Sequence, residues 1–183
     1  QKLGDRERVY STLKRAFVSP ALGAEPKLQV FLTLYTPEQI YGSEKDVALE
    51  LITLLTTVHQ REPKLLAIRG DLLYKVKREK EAREDLLLSI AIDSSRYFVW
   101  EQLLFVMSAM NDTVGLASYS NRCRQLFPFQ PIPFFFEGMM LARGGQHAPA
   151  ARLFLEGKSL VTGNPALVEQ FAMFLGDTYH ALE

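Results

Sequence analysis

Cysteine is almost missing from this chain: Cys123 is the only one in 183 residues, so no internal disulfide can form and the fold must hold by packing alone. An excess of either charge is lacking too, because Lys plus Arg and Asp plus Glu both total 21. Proteins that grip polyanions need a basic surplus to neutralise phosphates, so no nucleic-acid partner is expected. No apolar run reaches the roughly 20 residues that cross a bilayer, and no membrane span is predicted. The opening Gln1-Lys2-Leu3-Gly4 has neither methionine nor a signal-peptide pattern, so a processed or trimmed chain is expected. Enzyme signatures are absent: there is no phosphate-binding glycine loop, no Gly-x-Ser-x-Gly, no His-Glu-x-x-His and no cysteine pair. His59, His147 and His180 are too scattered for a metal set. No catalytic residue, cofactor or metal is therefore assigned, and no enzymatic activity is expected.

What the chain does have is a repeat. Ala48, Ala82, Leu116 and Ala150 stand 34 residues apart. Leu32, Leu66, Trp100 and Phe134 form a second column at that interval, and Val58, Ile92, Leu126 and Leu160 a third. Gly70 and Gly138 are two intervals apart. The register predicts repeats at 29–62, 63–96, 97–130 and 131–168, with a partial repeat over 169–183. A degenerate helical segment, one helix over about 5–17, precedes them within 1–28. Pro63, Pro131 and Pro165 suit first helical positions, where a missing N–H costs nothing. Asn111-Asp112 and Gly144-Gly145 suit the turns between paired helices. Small residues in the Gly70/Gly138 and Ala82/Ala150 columns let antiparallel helices approach within roughly 8–10 Å. Cys123 shares a column with Ser89 and Gly157, where a small residue is required, so a structural thiol is expected. Trp100 is expected as a core filler, and the charge-rich stretch 75–85 as a solvated turn and helix start.

The 34-residue interval and its column types resemble the tetratricopeptide repeat family. The stretch 63–96 is most similar, with Leu66, Gly70, Ala82 and Leu86, followed by Trp100, Leu103 and Pro128, and by Gly138, Ala150 and Phe154. Residues 175–181 look like the first helix of a further repeat. Departures are Arg69 and Glu137 in place of aliphatic residues, Leu104 in place of a small one, and an early break at Pro37. The resemblance implies an all-α, right-handed solenoid of about ten helices without a β-sheet.

In that family the concave groove is lined by the first helix of each repeat. Carried over, the groove positions are Lys64, Ala67, Asp71, Tyr74 and Lys75, then Phe98, Glu101, Phe105, Ser108 and Ala109, then Ile132, Phe135, Met139, Ala142 and Arg143. In the partial repeat they fall on Gln170, Met173, Asp177, His180 and Ala181. The implied partner-binding residues are Phe98, Glu101, Phe105, Ile132, Phe135, Met139, Arg143 and Met173. With Phe134 in the core, Phe135 is expected to turn into the groove, since neighbours on a helix diverge by about 100°. Two readings of this apolar surface stand side by side: a peptide or partner helix lies in it, or the protein covers it. The clamp that some family members use for a C-terminal carboxylate is not matched, as its sites hold Ala67, Asp71, Gln102 and Phe136.

The resemblance implies a scaffold or adaptor for a protein partner, with a regulatory or sensory segment of a larger multidomain protein as the alternative. The apolar side of the last helix, with Phe171, Phe174, Leu175 and Tyr179, predicts self-association through that end. The stretch 63–93, the run 99–104 and Asn164-Pro165-Ala166-Leu167 with Gln170-Phe171 are similar to bacterial cell-envelope members of the family. That implies a periplasm-facing location and leaves the cytoplasm open.

Overall fold

The computed structural model describes residues 2–183, with side chains described from Arg8 onward. Among the described residues ten α-helices succeed one another: α1 (Lys2–Val18), α2 (Ala24–Leu34), α3 (Lys45–Val58), α4 (Pro63–Lys75), α5 (Glu79–Ile92), α6 (Tyr97–Ala109), α7 (Thr113–Leu126), α8 (Pro131–Arg143), α9 (His147–Leu160) and α10 (Pro165–His180). A five-residue π-helical turn, Gln39–Ser43, lies between α2 and α3. No strand occurs among the described residues.

From α4 onward the 34-residue interval governs every helix. First helices α4, α6 and α8 have 13 residues each, and second helices α5, α7 and α9 have 14. Their starts are marked by local chemistry. Proline opens α4, α8 and α10. The Asp112 carboxylate accepts from the Gly115 N–H at 2.9 Å, and the Asn164 side chain accepts from the Leu167 N–H at 3.1 Å. The tight turns between paired helices all use one device. Lys77, Asn111 and Gly145, spaced 34 apart, sit in the left-handed region at φ of 63°, 53° and 73°. The N–H of the next residue then reaches back to Leu73, Met107 or Leu141 O, closing the helix end.

The early chain departs from the expected register. Helix α2 starts at Ala24, ahead of the expected boundary at 29, and the break near Pro37 is resolved as the π turn. At the other end α10 starts at Pro165, the first helical position that proline suits, with Asn164 as its cap, so the last repeat begins at 165 and not at 169. Residues 175–180 are the C-terminal part of α10, with Ala181 as its C-cap. Met173 consequently falls one interval after Met139 and two after Phe105.

The chain divides into two compact units, one ending at Ser94 and the other beginning at Ser95. In the first, α3 packs between α1 and α4, and α4 pairs with α5. Its centre holds Phe17, Phe31, Ile52 and Leu72, all essentially inaccessible. In the second, α6 to α10 pack consecutively, and α8 also touches both α6 and α10. Trp100 is fully buried there, as expected for a core filler, and so is Phe154; Phe171, expected on an uncovered side of the last helix, is fully buried too, because its ring packs against Phe135 and Phe154. The small-residue columns are sterically required. A Cβ at Gly138 would stand 2.7 Å from Phe154, and one at Gly157 would stand 2.7 Å from both Phe134 and Phe171.

Candidate functional site

In the second unit the first helices α6, α8 and α10 share one face, and the expected site residues divide on it by burial. Phe98 is 57% exposed, Phe105 43% and Met173 58%, while Met139 is only 8% exposed. Arg143 is exposed and Ile132 is half-buried. Glu101 is half-buried and accepts a hydrogen bond from the Tyr97 hydroxyl at 2.9 Å, so its carboxylate is already engaged. Burial first, and then the negative charge of Glu101, push the Tyr97 phenol well above its ordinary range.

Phe135 does not stand clear of the core. Its ring meets Phe136 at 5.7 Å, Phe171 at 5.3 Å and Phe174 at 5.1 Å, all edge-on, and Phe154 at 6.2 Å. A helix turn does send Phe135 away from Phe134, but α10 lies where the ring arrives and closes over it. Phe105 joins the same chain of rings through Phe136, edge-on at 5.4 Å. The aromatic run therefore serves mainly to weld α8, α9 and α10 together, with its exposed end at Phe105.

A recess of about 240 Å³ opens on this face, lined by Met139, Ala142, Arg143, His147, Phe174, Asp177 and Thr178. Its walls are largely apolar. Arg143 and Asp177 contribute charges of opposite sign from α8 and α10. Thr178 is not free to bind, because its hydroxyl donates to Phe174 O at 2.6 Å. The size suits one or two side chains of a larger partner better than a whole small molecule, whose pockets run from about 300 Å³ upward.

The first unit treats its corresponding positions differently. Ala67 is buried, Lys64 pairs with Glu25 of α2 at 2.9 Å, and Tyr41 of the π turn bonds to Asp71. Burial raises the Asp71 carboxyl, and burial with the Asp71 charge raises the Tyr41 phenol. Here the chain covers its own first-helix face, whereas in the second unit Phe105 and Met173 stay open.

Three features are invisible in single sequence columns. Arg69 makes a two-pronged bond to Asp85 at 2.6 and 2.5 Å and also donates to Thr56 at 2.6 Å. Glu137 accepts from Arg124 at 2.6 Å and from Asn121 at 2.9 Å. Lys27 is buried, and its ammonium caps the end of α1 by donating to Phe17 O at 3.1 Å and to Ser19 O, with His59 Nε2 at 3.2 Å. Desolvation lowers its affinity for the proton. Cys123 is buried and its thiol is pushed up to about 12, by burial first and then by Glu101, which leaves it protonated and unreactive at neutral pH. Among the described residues no three His, Cys, Asp or Glu side chains gather as a metal would require. Among the same residues no helix is long and apolar enough to cross a membrane.

No family model matches the sequence, and no curated protein matches it. Solved structures do. A crystal structure of MamA superposes with a TM-score of 0.70 at 11% identity, covering 84% of this chain and 81% of that one. A second MamA crystal structure gives 0.63 at 11% identity, over 79% and 92% of the two chains. PilF of Pseudomonas aeruginosa gives 0.62 at 18% identity, over 94% and 91%. Both are tetratricopeptide-repeat proteins. The fold is accordingly the all-helical tetratricopeptide type, as the 34-residue interval implies.

Proposed function

We propose that the chain is a protein-interaction scaffold that holds an apolar segment of a partner protein on the α6–α8–α10 face. The observation that carries this reading is the exposure of Phe105 and Met173 at equivalent turns of α6 and α10, on either side of the recess floored by Met139. Neither side chain is needed where it stands for burying a core, and exposed large apolar groups grouped on one face mark interaction sites. The repeat fold supports the same reading, since stacked hairpins present long ridged faces suited to extended or helical segments. On this reading Phe98, Phe105 and Met173 supply contact area, Met139 and Ile132 form the floor, and Arg143 sets polarity at the rim. Phe135 and Glu101 position their neighbours instead of touching the partner directly.

The test is the double variant Phe105→Ser, Met173→Ser. Its melting temperature should fall by only a few degrees, because Met173 is mostly exposed and Phe105 gives up one edge-on contact with Phe136 at the rim of the ring cluster. Capture of the parent's partners from an extract should weaken by about tenfold, equivalent to about 1.4 kcal/mol. Unchanged capture with the variant still folded would place the binding surface elsewhere.

A further inference from the structure

The open face of the second unit repeats with the fold, and the repeat has a length. Phe105, Met139 and Met173 stand 34 residues apart, at one position on α6, α8 and α10. Helix α8 touches both α6 and α10. Axes of helices in contact lie about 8–10 Å apart, so the face presents apolar side chains at about that step. A segment lying across the three helices must offer apolar groups on one side at the same step. A β-strand rises about 3.3 Å per residue and returns to one side every second residue, at about 6.6 and 13 Å. An α-helix rises about 1.5 Å per residue, and seven residues, or two turns, advance about 10.5 Å. The step suits a helix read at every seventh residue and misses an extended chain. A polyproline helix repeats at about 9.3 Å, but it docks in grooves lined by aromatic rings. Here the floor is Met139, with Met173 beside it.

Charge forms a second row beside the apolar one. Arg143 and Asp177 also stand 34 residues apart, each four places after its methionine, so they flank the apolar row one helical turn away. Both are exposed, and both line the recess that Met139 floors. Their counterpart on α6 is Ala109. Among the described residues no ion pair joins the two or takes up either one. The other flank, four places before the apolar row, holds Glu101, Phe135 and Glu169. Glu101 is already engaged by Tyr97, and that flank has no cation. Only the Arg143–Asp177 flank offers both signs to a partner.

We infer that the partner segment is an amphipathic α-helix laid across α6, α8 and α10, with large apolar residues at every seventh place and an acid and a base seven places apart on one flank. The inference rests on the scaffold reading and says what kind of segment the scaffold holds. The acid meets Arg143 and the base meets Asp177, while an apolar side chain between them enters the recess over Met139 and Phe174. From α6 to α10 is two steps, about 16–20 Å, or roughly two heptads of partner helix. The charged pair also fixes direction. Turning such a helix end for end carries its charged flank to the side of Glu101 and Glu169, where no cation waits. A helix with its charges on a given flank is accepted in one charge order only.

The experiment titrates the full chain into labelled synthetic peptides and reads fluorescence anisotropy. Two peptides are stapled helices with leucine at every seventh place and a glutamate and a lysine seven apart on one flank, in one order and in the exchanged order. A third places leucine at alternate positions for an extended chain, and a fourth at every third position of a polyproline helix. The stapled helices should bind more tightly than the other two. One charge order should be preferred by about fivefold at low salt, and the preference should shrink as salt screens it. The double variant Arg143→Glu, Asp177→Arg should reverse that preference while its melting temperature stays within a few degrees of the parent's, both residues being exposed. Equal binding of the two orders, a preference that the double variant leaves in place, or tighter binding by the extended or polyproline peptide overturns the inference. Self-association in sedimentation that Phe105→Ser, Met173→Ser abolishes overturns it too, because a second copy then holds the face. If neither stapled helix binds while capture from extract still depends on Phe105 and Met173, this inference falls and the scaffold reading stands. If the helices bind the Phe105→Ser, Met173→Ser variant undiminished, they seat elsewhere and both fall.

Discussion

Replacing Phe135 with alanine separates a structural ring from a binding ring. Full truncation of a core phenylalanine costs about 3–5 kcal/mol, through lost transfer energy and the cavity left behind. Phe135 is half-buried, which argues for the low end, but three edge-on partners and a fourth tilted ring surround it. Each such pair contributes about 0.5–1.5 kcal/mol beyond area burial, so about 3 kcal/mol is expected in all. For a chain of this length that lowers the melting temperature by about 6–12 °C. The chain divides into two units, so the probe must report on the right one. The single tryptophan does: Trp100 is fully buried in the second unit, and its fluorescence in a urea titration tracks that unit alone. Phe98→Ala, which removes an exposed ring from the same unit, is the control and should stay within about 0.5 kcal/mol. If Phe135→Ala also stays within that margin, the ring cluster does not hold α8, α9 and α10 together, and Phe135 returns to the open face.

Arg69→Leu should cost about 3 kcal/mol, because it leaves the buried Asp85 and Thr56 without their partner; adding Asp85→Leu should recover most of the loss, as denaturant midpoints would show. Lys77→Gly should stabilise by about 0.5 kcal/mol, since relief of a left-handed conformation outweighs the added freedom of the unfolded chain, whereas Gly145→Ala should destabilise by about 1 kcal/mol. The Cys123 thiol should resist a disulfide reagent at neutral pH until the chain is unfolded. The unfolded chain releases that proton from about pH 8.5 upward while the folded chain keeps it to about 12, so this group's stabilisation is lost as pH rises through that window, and urea midpoints of the parent should fall more steeply there than those of Cys123→Ser.

The regular part of the fold was legible because every signal there is local and recurs. Proline at 63, 131 and 165, left-handed turn residues at 111 and 145, and large or small columns each mark one point of a hairpin that repeats. The early chain has no such recurrence. That the π turn would bring Tyr41 onto Asp71, or that Lys27 would fold inward to cap α1 beside His59, depends on where three helices meet. A lysine in an amphipathic helix gives no local sign of that. On the face, the open position of Phe105 follows from helix phase; Met173 is open too, but it was reached from a boundary at 169 where the helix starts at 165, and the fate of Phe135 was set by α10, whose start depends on one capping asparagine at 164.

The departures at 69, 104 and 137 are explained only when positions are taken in pairs. Within a hairpin, a residue of the first helix faces the one 16 places later: Gly70 faces Leu86, and Gly138 faces Phe154. The corresponding pair in the middle hairpin is Leu104 and Ser120, both fully buried, so large and small have exchanged sides while their sum is kept. Conserving volume across a contact is what a close-packed interior tolerates best. The exchange has a geometric consequence, since a leucine on the first helix holds α6 and α7 less closely than glycine holds α8 and α9. Charge is handled in the same pairwise way. Arg69 answers Asp85, again 16 places on, and Glu137 answers Arg124 in the preceding helix, so each polar replacement of an aliphatic residue comes with its neutralising partner. A column read alone registers each of these as an error, yet the contact it belongs to is satisfied, and removing one partner of a satisfied buried pair costs far more than never having built it.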